Sequence, residues 1–404
     1  MNRLITTLSL TILLTAGLLA PETEAQQIAV KGETVYTMNG EPLSDGVVLI
    51  RDGVIEEVGP ASQVEIPGGY TLYETEVVTP GLIDSRSTVG FSGILNQDHD
   101  QDQLEMSSAF QPELRAIDAY NAREDLVKFL LETGITTVHT GHGPGALASG
   151  QTMIVKTSGN KIETALIDST TAIAITLGSG ISGGFSTPGT RSKSVAMLRQ
   201  QLLDAKSYAE RRASDNPPGR NLARETLADL IDGKIFALVE VHRAHDIMTA
   251  LRLQDEFGFK MLLSGATESY LVRDEIRQAG VPVIIHPTMT RTWGESQNAS
   301  FETAAKLTEA GIPVYFQSGY EGYVPKTRVA LYEAAIAVAN GLDRITALEA
   351  LTIEPARLFG IDDRVGSLEP GKDADLVLFN GDPFEYITTT RAVIVDGKVV
   401  KEES

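Results

Sequence analysis

The 404-residue sequence contains no cysteine. Disulfides, thiol catalysis, cysteine-ligated zinc and a lipoprotein anchor are therefore excluded. Basic residues are also scarce, because 34 lysines and arginines face 54 aspartates and glutamates and give a formal net charge of −20. Nucleic-acid binding needs clustered basic side chains, so this balance argues against a nucleic-acid partner. Only six histidines are present, and each can be considered by itself.

Long apolar runs are scarce as well, and the clearest one lies at the N-terminus. Arg3 precedes a largely apolar stretch at residues 4–20, and Thr23 and Ala25 supply small residues at the −3 and −1 positions of a cleavage site. This order is typical of a secretory signal. The alternative is a membrane anchor, but the run is shorter than the roughly 20 residues that a span needs. We therefore predict removal of residues 1–25, an exported periplasmic or extracellular protein, and no membrane association after cleavage.

The rest of the composition is that of a globular protein, with 42% hydrophobic and 22% charged residues. Residues 26–79 and 363–404 are rich in short alternating apolar segments, separated by turn signals such as Asp52-Gly53 and Asp396-Gly397. Segments this short cannot each bury a core. We therefore expect the two ends of the chain to pair into one small composite β-sandwich.

Between these ends, short apolar strands alternate with helical patterns. The predicted helices include residues 196–213, 245–257, 268–279, 301–310 and 328–339. Such alternation indicates an α/β fold with a parallel sheet, and residues 80–362 have the length of a (β/α)8 TIM-like barrel. Many of the strands end in Gly, His or Pro, which marks the barrel end where catalytic residues are usually found. The glycine- and serine-rich residues 178–189 predict a long loop, which is either a lid or a plain surface excursion.

Two motifs join the barrel to the β-rich ends: Thr-Pro-Gly-Leu-Ile-Asp at residues 79–84, and Gly-Ser-Leu-Glu-Pro-Gly-Lys-Asp-Ala-Asp-Leu at residues 366–376. With further matches at residues 115–125, 134–156, 190–208, 241–258 and 342–361, the chain resembles the amidohydrolase superfamily, in particular imidazolonepropionase-like proteins. The resemblance implies metal-dependent hydrolysis of C–N bonds, with a divalent ion that activates water and polarises the scissile carbonyl.

The resemblance also implies five metal-ligand positions, which this sequence fills poorly. An H-x-H pair is expected on the first barrel strand, but the chain has Arg86 and Thr88 there. On the fifth strand His242 matches the expected histidine. The sixth-strand histidine is replaced by Gly265, and the eighth-strand aspartate, which acts as proton shuttle in the family, is replaced by Gly319. A lone imidazole does not hold a catalytic metal.

These replacements predict a degenerate amidohydrolase without its metal centre. We expect no cofactor, and we expect Arg86 to pair with Glu240 or with an acidic residue of the loop at 98–102, because a permanent cation stands where the metal charge would be. Such a protein would serve as a ligand-binding or partner-stabilising subunit. Expected partners are a second copy of the chain or an intact amidohydrolase paralogue. The sequence does not identify the small-molecule ligand.

A rearranged metal site is the main alternative. His139 and His142 end the second strand, His242 ends the fifth and His286 ends the seventh, so they share one end of the predicted barrel with the acidic residues 98–102. Zinc or another divalent metal at such a site would give an active C–N hydrolase. Each of these residues also has an ordinary explanation, since strand histidines are commonly hydrogen-bonded core residues and acidic runs are commonly solvated loops.

A metal-free hydrolase is a third possibility. Ser85, Ser87 and Thr88 lie near the barrel mouth, where His242 could act as a general base. The sequence has no G-x-S-x-G elbow and no evident orienting aspartate, so strand-end hydroxyls are the simpler interpretation. Lys156 could suggest the carboxylated lysine of binuclear relatives, but the accompanying ligands are missing and we do not assign it that role.

Overall fold

The computed structural model describes residues 27–402, apart from residue 96, residue 182, residues 286–293 and residues 321–328. The predicted secretory signal and His286 lie outside the described residues. In the part that is described, no helix combines the length and the apolar character needed to cross a membrane.

The described strands form two sheets. In chain order they are β1 (Gln27–Val35), β2 (Leu43–Arg51), β3 (Val54–Pro60), β4 (Thr71–Pro80), β5 (Leu82–Ser87), β6 (Ile135–Gly141), β7 (Gly150–Lys156), β8 (Leu166–Thr176), β9 (Phe236–Val241), β10 (Met261–Gly265), β11 (Val283–Ile285), β12 (Val314–Phe316), β13 (Leu376–Phe379), β14 (Thr390–Val395) and β15 (Lys398–Glu402). One sheet has the order β15-β14-β13-β4-β1-β2-β3, and the other runs from β12 to β5 in reverse chain order.

The first sheet unites the two ends of the chain, as predicted. Strand β4 pairs antiparallel with β13, placing Val78 opposite Leu378. Asp52 and Gly53 both have positive φ and make the tight turn between β2 and β3. Apolar side chains from both ends share one cluster, which includes Ile28, Val30, Ile50, Leu376, Leu378 and Ile394. Neither end supplies enough apolar area alone, so burial requires that they pair.

The second sheet is a nearly closed eight-stranded barrel. Strands β5 and β6 are parallel, and so are β8 to β12. A bridge between Ser87 and Gly319 brings the first strand beside the end of the last. The fold class is therefore confirmed, but β7 runs antiparallel to both β6 and β8, so the barrel is not built of eight parallel strands. Residues 142–149 explain this, because they are too few for the helical crossover that parallel strands need.

Helices cover the outside of the barrel. The described α-helices are α1 (Asp125–Glu132), α2 (Ile162–Ala165), α3 (Arg191–Arg212), α4 (Leu222–Ile231), α5 (Ala244–Phe257), α6 (Arg273–Ala279), α7 (Thr303–Glu309), α8 (Ala330–Ala339), α9 (Arg344–Glu349) and α10 (Ile353–Phe359). Helix α3 begins before its predicted start at residue 196, since Thr190 caps the backbone N–H of Lys193. The predicted helix at 268–279 is divided, because Val272 has φ −129° between a 3₁₀ turn and α6.

One layer of the barrel interior is almost wholly apolar. Seven strands contribute one residue each to a single cluster, namely Ile83, Ile154, Ala172, Leu238, Leu262, Ile284 and Tyr315. Strand β6 contributes His139, which pairs with Ile154 across the sheet and lies with its ring 4.6 Å from that of Phe359 in α10. This layer fills the barrel below the strand ends where the candidate site lies.

Lys156 connects the barrel to the terminal sheet. Its buried ammonium lies 2.8 Å from a carboxylate oxygen of Asp373 and 3.1 Å from one of Asp375, and it also contacts Asp396. Asp373 pairs in addition with Arg364 at 2.8 Å. The lysine that could have suggested a metal-bridging carbamate is therefore an ion-paired ammonium away from the strand ends.

Candidate functional site

The predicted ligand positions meet at one end of the barrel. Gly319 donates its backbone N–H to the carbonyl of Arg86 at 2.9 Å. Gly265 pairs with Val241, the residue before His242. Because parallel strands end on the same side of a barrel, residues far apart in sequence are adjacent here. The tertiary structure therefore assembles the positions of a metal centre, whatever residues now occupy them.

Arg86 is buried in this assembly, with 5% of its surface exposed. Its guanidinium donates from Nη1 to the carbonyl of Ser87 at 2.6 Å and from Nη2 to the carbonyl of His142. Burial lowers the pKa of Arg86 to about 10, against the opposing effect of the Glu240 and Asp84 charges. The side chain is therefore a cation at neutral pH.

The partners of Arg86 differ from the prediction. We expected an ion pair with Glu240 or with the loop at 98–102, but its hydrogen bonds within the described chain go to backbone carbonyls. Glu240 influences Arg86 only through its charge. The bulge in β5 between Asp84 and Ser87 accompanies this arrangement, and such bulges redirect side chains.

Asp84 is a site residue that the sequence interpretation missed. Its carboxylate is fully buried and accepts from the backbone N–H of Ser318 at 2.9 Å, from that of Arg86 at 3.2 Å and from the Ser318 hydroxyl. The Ser318 hydroxyl also lies 3.0 Å from that of Ser87. Burial raises the pKa of Asp84 to about 7, although these hydrogen bonds and the Arg86 charge oppose the rise. The aspartate of the Pro-Gly-Leu-Ile-Asp motif was the available signal.

His242 and Glu240 form a pair at the end of β9. Their Nε2 and Oε1 atoms are 3.3 Å apart, and about a quarter of each side chain is exposed. The other ring nitrogen, Nδ1, lies 2.8 Å from the Thr267 hydroxyl. Burial disfavours the charged imidazole, but the hydrogen bond and charge of Glu240 outweigh it and raise the pKa of His242. Both ring nitrogens therefore already have partners.

Glu240 also begins a chain of polar side chains inside the barrel. Ser264 donates its hydroxyl to Glu240 Oε2 at 2.5 Å, and Gln317 donates to Ser264 at 3.2 Å and to the carbonyl of Ile284 at 3.1 Å. Neither Ser264 nor Gln317 belongs to a pattern that sequence reasoning could single out. Their positions two residues above the apolar layer place them on the inner face.

Gly265 leaves the space that this pair uses. A Cβ at this position would lie 2.6 Å from His242 Cε1 and 2.8 Å from Glu240 Oε1, and the backbone has φ +74°. The imidazole and carboxylate thus occupy the volume above the strand where the resemblance places a histidine. Glycine here supports the pair by its conformation as well as by its size.

We predict that Gly265→Ala lowers the free energy of unfolding by about 1–3 kcal/mol more than the matched change Gly258→Ala. Gly258 has φ +76° and nothing within 4 Å of its added Cβ, so both variants share the left-handed strain and only Gly265→Ala adds the collision. Urea unfolding measures the difference. Equal losses of unfolding free energy in the two variants would show that His242 and Glu240 move away from the added Cβ without an energetic cost.

His139 and His142 have structural partners. His139 is fully buried, with Nδ1 2.9 Å from the carbonyl of Ser85 and Nε2 2.7 Å from the Thr152 hydroxyl. Burial lowers the pKa of His139 to about 3, with a contribution from the Arg86 charge, so this ring is neutral. His142 places Nδ1 3.0 Å from the carbonyl of Gln151, and burial lowers its pKa as well.

The remaining predicted residues lie at the edges of the site. Thr88 is buried, and its hydroxyl is 3.0 Å from that of Ser92. His99 is exposed in the 3₁₀ turn Asp98–Asp100. His245 begins the exposed face of α5, with Nε2 3.3 Å from Asp246. His286 lies outside the described residues, so its position relative to the others stays a prediction.

Comparisons with known proteins find similar sequences and similar structures. A family model described as the amidohydrolase family matches residues 302–400. Amidohydrolase tasK of Hapsidospora irregularis is 23% identical over 402 residues, which cover 87% of this chain but 39% of that protein. An imidazolonepropionase of Streptococcus pyogenes is 22% identical over 386 residues, 85% of this chain and 86% of the relative.

A solved structure agrees with these relatives. An amidohydrolase from Thermotoga maritima has a TM-score of 0.86 to this structure at 26% identity, over 93% of this chain and 100% of the other. The chain belongs to the amidohydrolase superfamily. The superfamily is one of hydrolases that act on C–N bonds, and its barrel and terminal sheet are both present in this member.

Within the described residues, this amidohydrolase-superfamily member does not offer a fitting donor set for the metal that the superfamily implies. A catalytic zinc site needs three protein ligands with an open position. Of the five implied positions only His242 carries a ligand, and both of its ring nitrogens are engaged. Elsewhere in the described chain, no three His, Asp or Glu side chains are grouped so that they could hold a metal ion.

Proposed function

We propose that this protein is an amidohydrolase-superfamily member that does not hydrolyse C–N bonds by a bound metal and acts instead as a ligand-binding or partner-stabilising subunit. One observation carries the proposal. At the first of the implied metal-ligand positions, the Arg86 guanidinium is buried and held by two backbone carbonyls.

The electrostatics of the site support this proposal. A guanidinium is a permanent cation, and a divalent ion placed beside it would meet repulsion in a poorly solvated environment. Glu240 and Asp84 partly balance the single charge of Arg86. Asp84, with a pKa near 7, is only partly ionised at neutral pH. The described carboxylates thus offset at most little more than the charge of Arg86, and they would not compensate the two further charges of a divalent ion.

We expect purified protein to contain far less than one equivalent of zinc, manganese, iron or cobalt, and to leave dipeptides and cyclic amides intact. Elemental analysis by mass spectrometry and a hydrolysis panel with and without added metal measure both quantities. The His242→Gln variant is the matched control, because it removes the remaining implied ligand. Wild type and variant should then have the same low metal content.

One stoichiometric metal ion that is lost in His242→Gln, together with chelator-sensitive hydrolysis, would contradict the proposal. That result would support the alternative of an active C–N hydrolase with a rearranged site that includes His242 and His286. Metal-free turnover that disappears in His242→Gln would contradict it as well, and would favour acid–base catalysis by the Glu240–His242 pair.

Export and partnership complete the proposal. The apolar stretch at residues 4–20 and the small residues Thr23 and Ala25 support secretion with cleavage after residue 25. A barrel that has lost its chemistry can still stabilise a partner, and we propose a second copy or an intact amidohydrolase paralogue. N-terminal sequencing of the secreted protein tests the first point, and light scattering of the protein alone and with such a paralogue tests the second.

A further inference from the structure

A separate cleft lies on the outside of the barrel, between α3 and α5 and beside the end of β8. Its volume is about 420 Å³. Three arginines and one histidine line it, against one aspartate: Arg191, Arg199, Arg252, His245 and Asp246. The chain as a whole is acidic, with a formal net charge of −20. A concave surface lined by three arginines is therefore much richer in basic side chains than the rest of the sequence.

Carboxylates hold two of the three guanidinium groups in place. Arg191 donates from Nε to both carboxylate oxygens of Asp246 at 2.9 and 3.0 Å, and from Nη2 to Glu295 at 2.5 Å. Arg199 donates from Nε to both oxygens of Glu256 at 2.8 and 2.9 Å. Fixed guanidinium groups lose little side-chain entropy when a ligand binds, which favours binding.

These hydrogen bonds leave several N–H donors of each guanidinium group unused. A guanidinium carries five N–H groups. Arg199 donates to Glu256 from Nε alone. Arg252 donates from Nη2 to the Thr249 hydroxyl at 2.7 Å, and the described residues place no carboxylate within ion-pair distance of it. Several N–H groups of arginines that line the cleft are therefore outside these hydrogen bonds. Among the described residues, Arg252 also supplies a positive charge that no carboxylate pairs with.

We propose that this cleft binds a small molecule through an oxyanion, either a carboxylate or a phosphate group. Charged N–H donors in a planar fork match the two or three oxygens of such a group, and these hydrogen bonds are stronger than those between neutral partners. The Ser192 and Thr249 side chains, which also line the cleft, can orient the rest of the molecule. The cleft shares no residue with the Arg86 and His242 site, so it can bind a ligand whether or not a metal is present there.

Titration calorimetry of the full-length protein with inorganic phosphate, and separately with acetate, tests the proposal. We expect saturable binding of at least one of these probes at low ionic strength, weakening as salt is added. Arg252→Gln should weaken binding about tenfold, because it removes one charged donor group. Binding of phosphate alone would define a phosphate-bearing ligand, and binding of acetate a carboxylate.

Arg211→Gln is the control, since Arg211 lies in α3, which forms one wall of the cleft, but is not among the cleft residues and donates to the backbone carbonyl of Ser207. It should bind the probes as the wild type does. Circular dichroism of each variant verifies folding. No saturable binding of either probe, or equal weakening by Arg211→Gln and Arg252→Gln, would overturn the proposal.

Discussion

Replacing Lys156 by methionine is expected to lower the free energy of unfolding by about 3–5 kcal/mol, the usual cost of breaking a buried ion pair from one side. Lys156 is buried, and its ammonium is the centre of three carboxylates, Asp373, Asp375 and Asp396. Methionine keeps most of the side-chain volume but removes the cation from Asp375 and Asp396, while Asp373 keeps Arg364. The lower free energy of unfolding would therefore come from the unpaired charges and not from a cavity in the core.

The pH dependence of this loss is part of the expectation. Burial raises the pKa of Asp375 to about 6, while Lys156 acts in the opposite direction. Without Lys156 the pKa of Asp375 must rise further, so the folded variant takes up a proton more readily. Protonation relieves the unpaired charge, and the deficit of Lys156→Met should consequently be smaller at pH 5 than at pH 8. Urea unfolding at the two pH values measures it.

Two variants make this result specific. Lys128→Met changes an exposed lysine that lies 3.7 Å from Glu132, and such surface pairs contribute about 0–1 kcal/mol. Combining Lys156→Met with Asp375→Asn should recover part of the stability, because it removes one of the unpaired charges. A loss no larger than that of Lys128→Met, or one that is the same at both pH values, would contradict the role assigned to Lys156.

Replacing Asp84 by asparagine is expected to stabilise the protein at alkaline pH. The folded pKa of Asp84 is about 7 against an ordinary value of 3.8. As pH rises from about 4 to 7, the unfolded chain releases this proton before the folded protein does, so stability falls. At about 1.36 kcal/mol per pKa unit, the total loss is on the order of 4 kcal/mol. The uncharged amide does not suffer this loss.

The hydrogen bonds around Asp84 can also be made by an asparagine. The asparagine oxygen can accept from the backbone N–H groups of Ser318 and Arg86, as Asp84 Oδ1 does now. Its amide can donate to the Ser318 hydroxyl, which then donates to Ser87 Oγ, 3.0 Å away. The two proteins should accordingly be of similar stability near pH 4 and diverge progressively toward pH 8.

Denaturant unfolding of both proteins at pH 4, 6 and 8 tests this, because the difference between them cancels the contributions of the other carboxylates. Asp363→Asn, at an exposed position, serves as the control and should show no such divergence. A difference that stays constant with pH would mean that Asp84 is ionised throughout this range. A variant less stable than the wild type at pH 8 would mean that its charge stabilises the fold.

Sequence and tertiary structure contributed differently to the barrel. The alternation of strands and helices predicted the fold class, and the β-rich ends predicted that both termini would share one sheet. Those inferences depend on local periodicity and on the need to bury apolar surface. The direction of β7 was missed because it follows from the length of one connection, residues 142–149, rather than from any periodic signal.

In the candidate site, too, some features could be predicted from the sequence and others could not. Position in a motif was enough to find Arg86, Gly265 and Gly319 where ligands were expected, and to single out His242. It could not find the partners of Arg86, because two of its hydrogen bonds go to backbone carbonyls that every sequence possesses. Nor could it separate His139, a neutral residue of the apolar layer, from the other histidines on the same end of the barrel.

The sequence by itself therefore determined the superfamily, the arrangement of the chain ends and which residues stand where the resemblance implies metal ligands, since these depend on residue identity and local pattern. Only the tertiary structure decided the surroundings of these residues. Burial sets the pKa of Asp84, and folding brings Lys156 to Asp375, 219 residues away. Desolvation and long-range charge pairing arise from packing in three dimensions, and no local pattern encodes them.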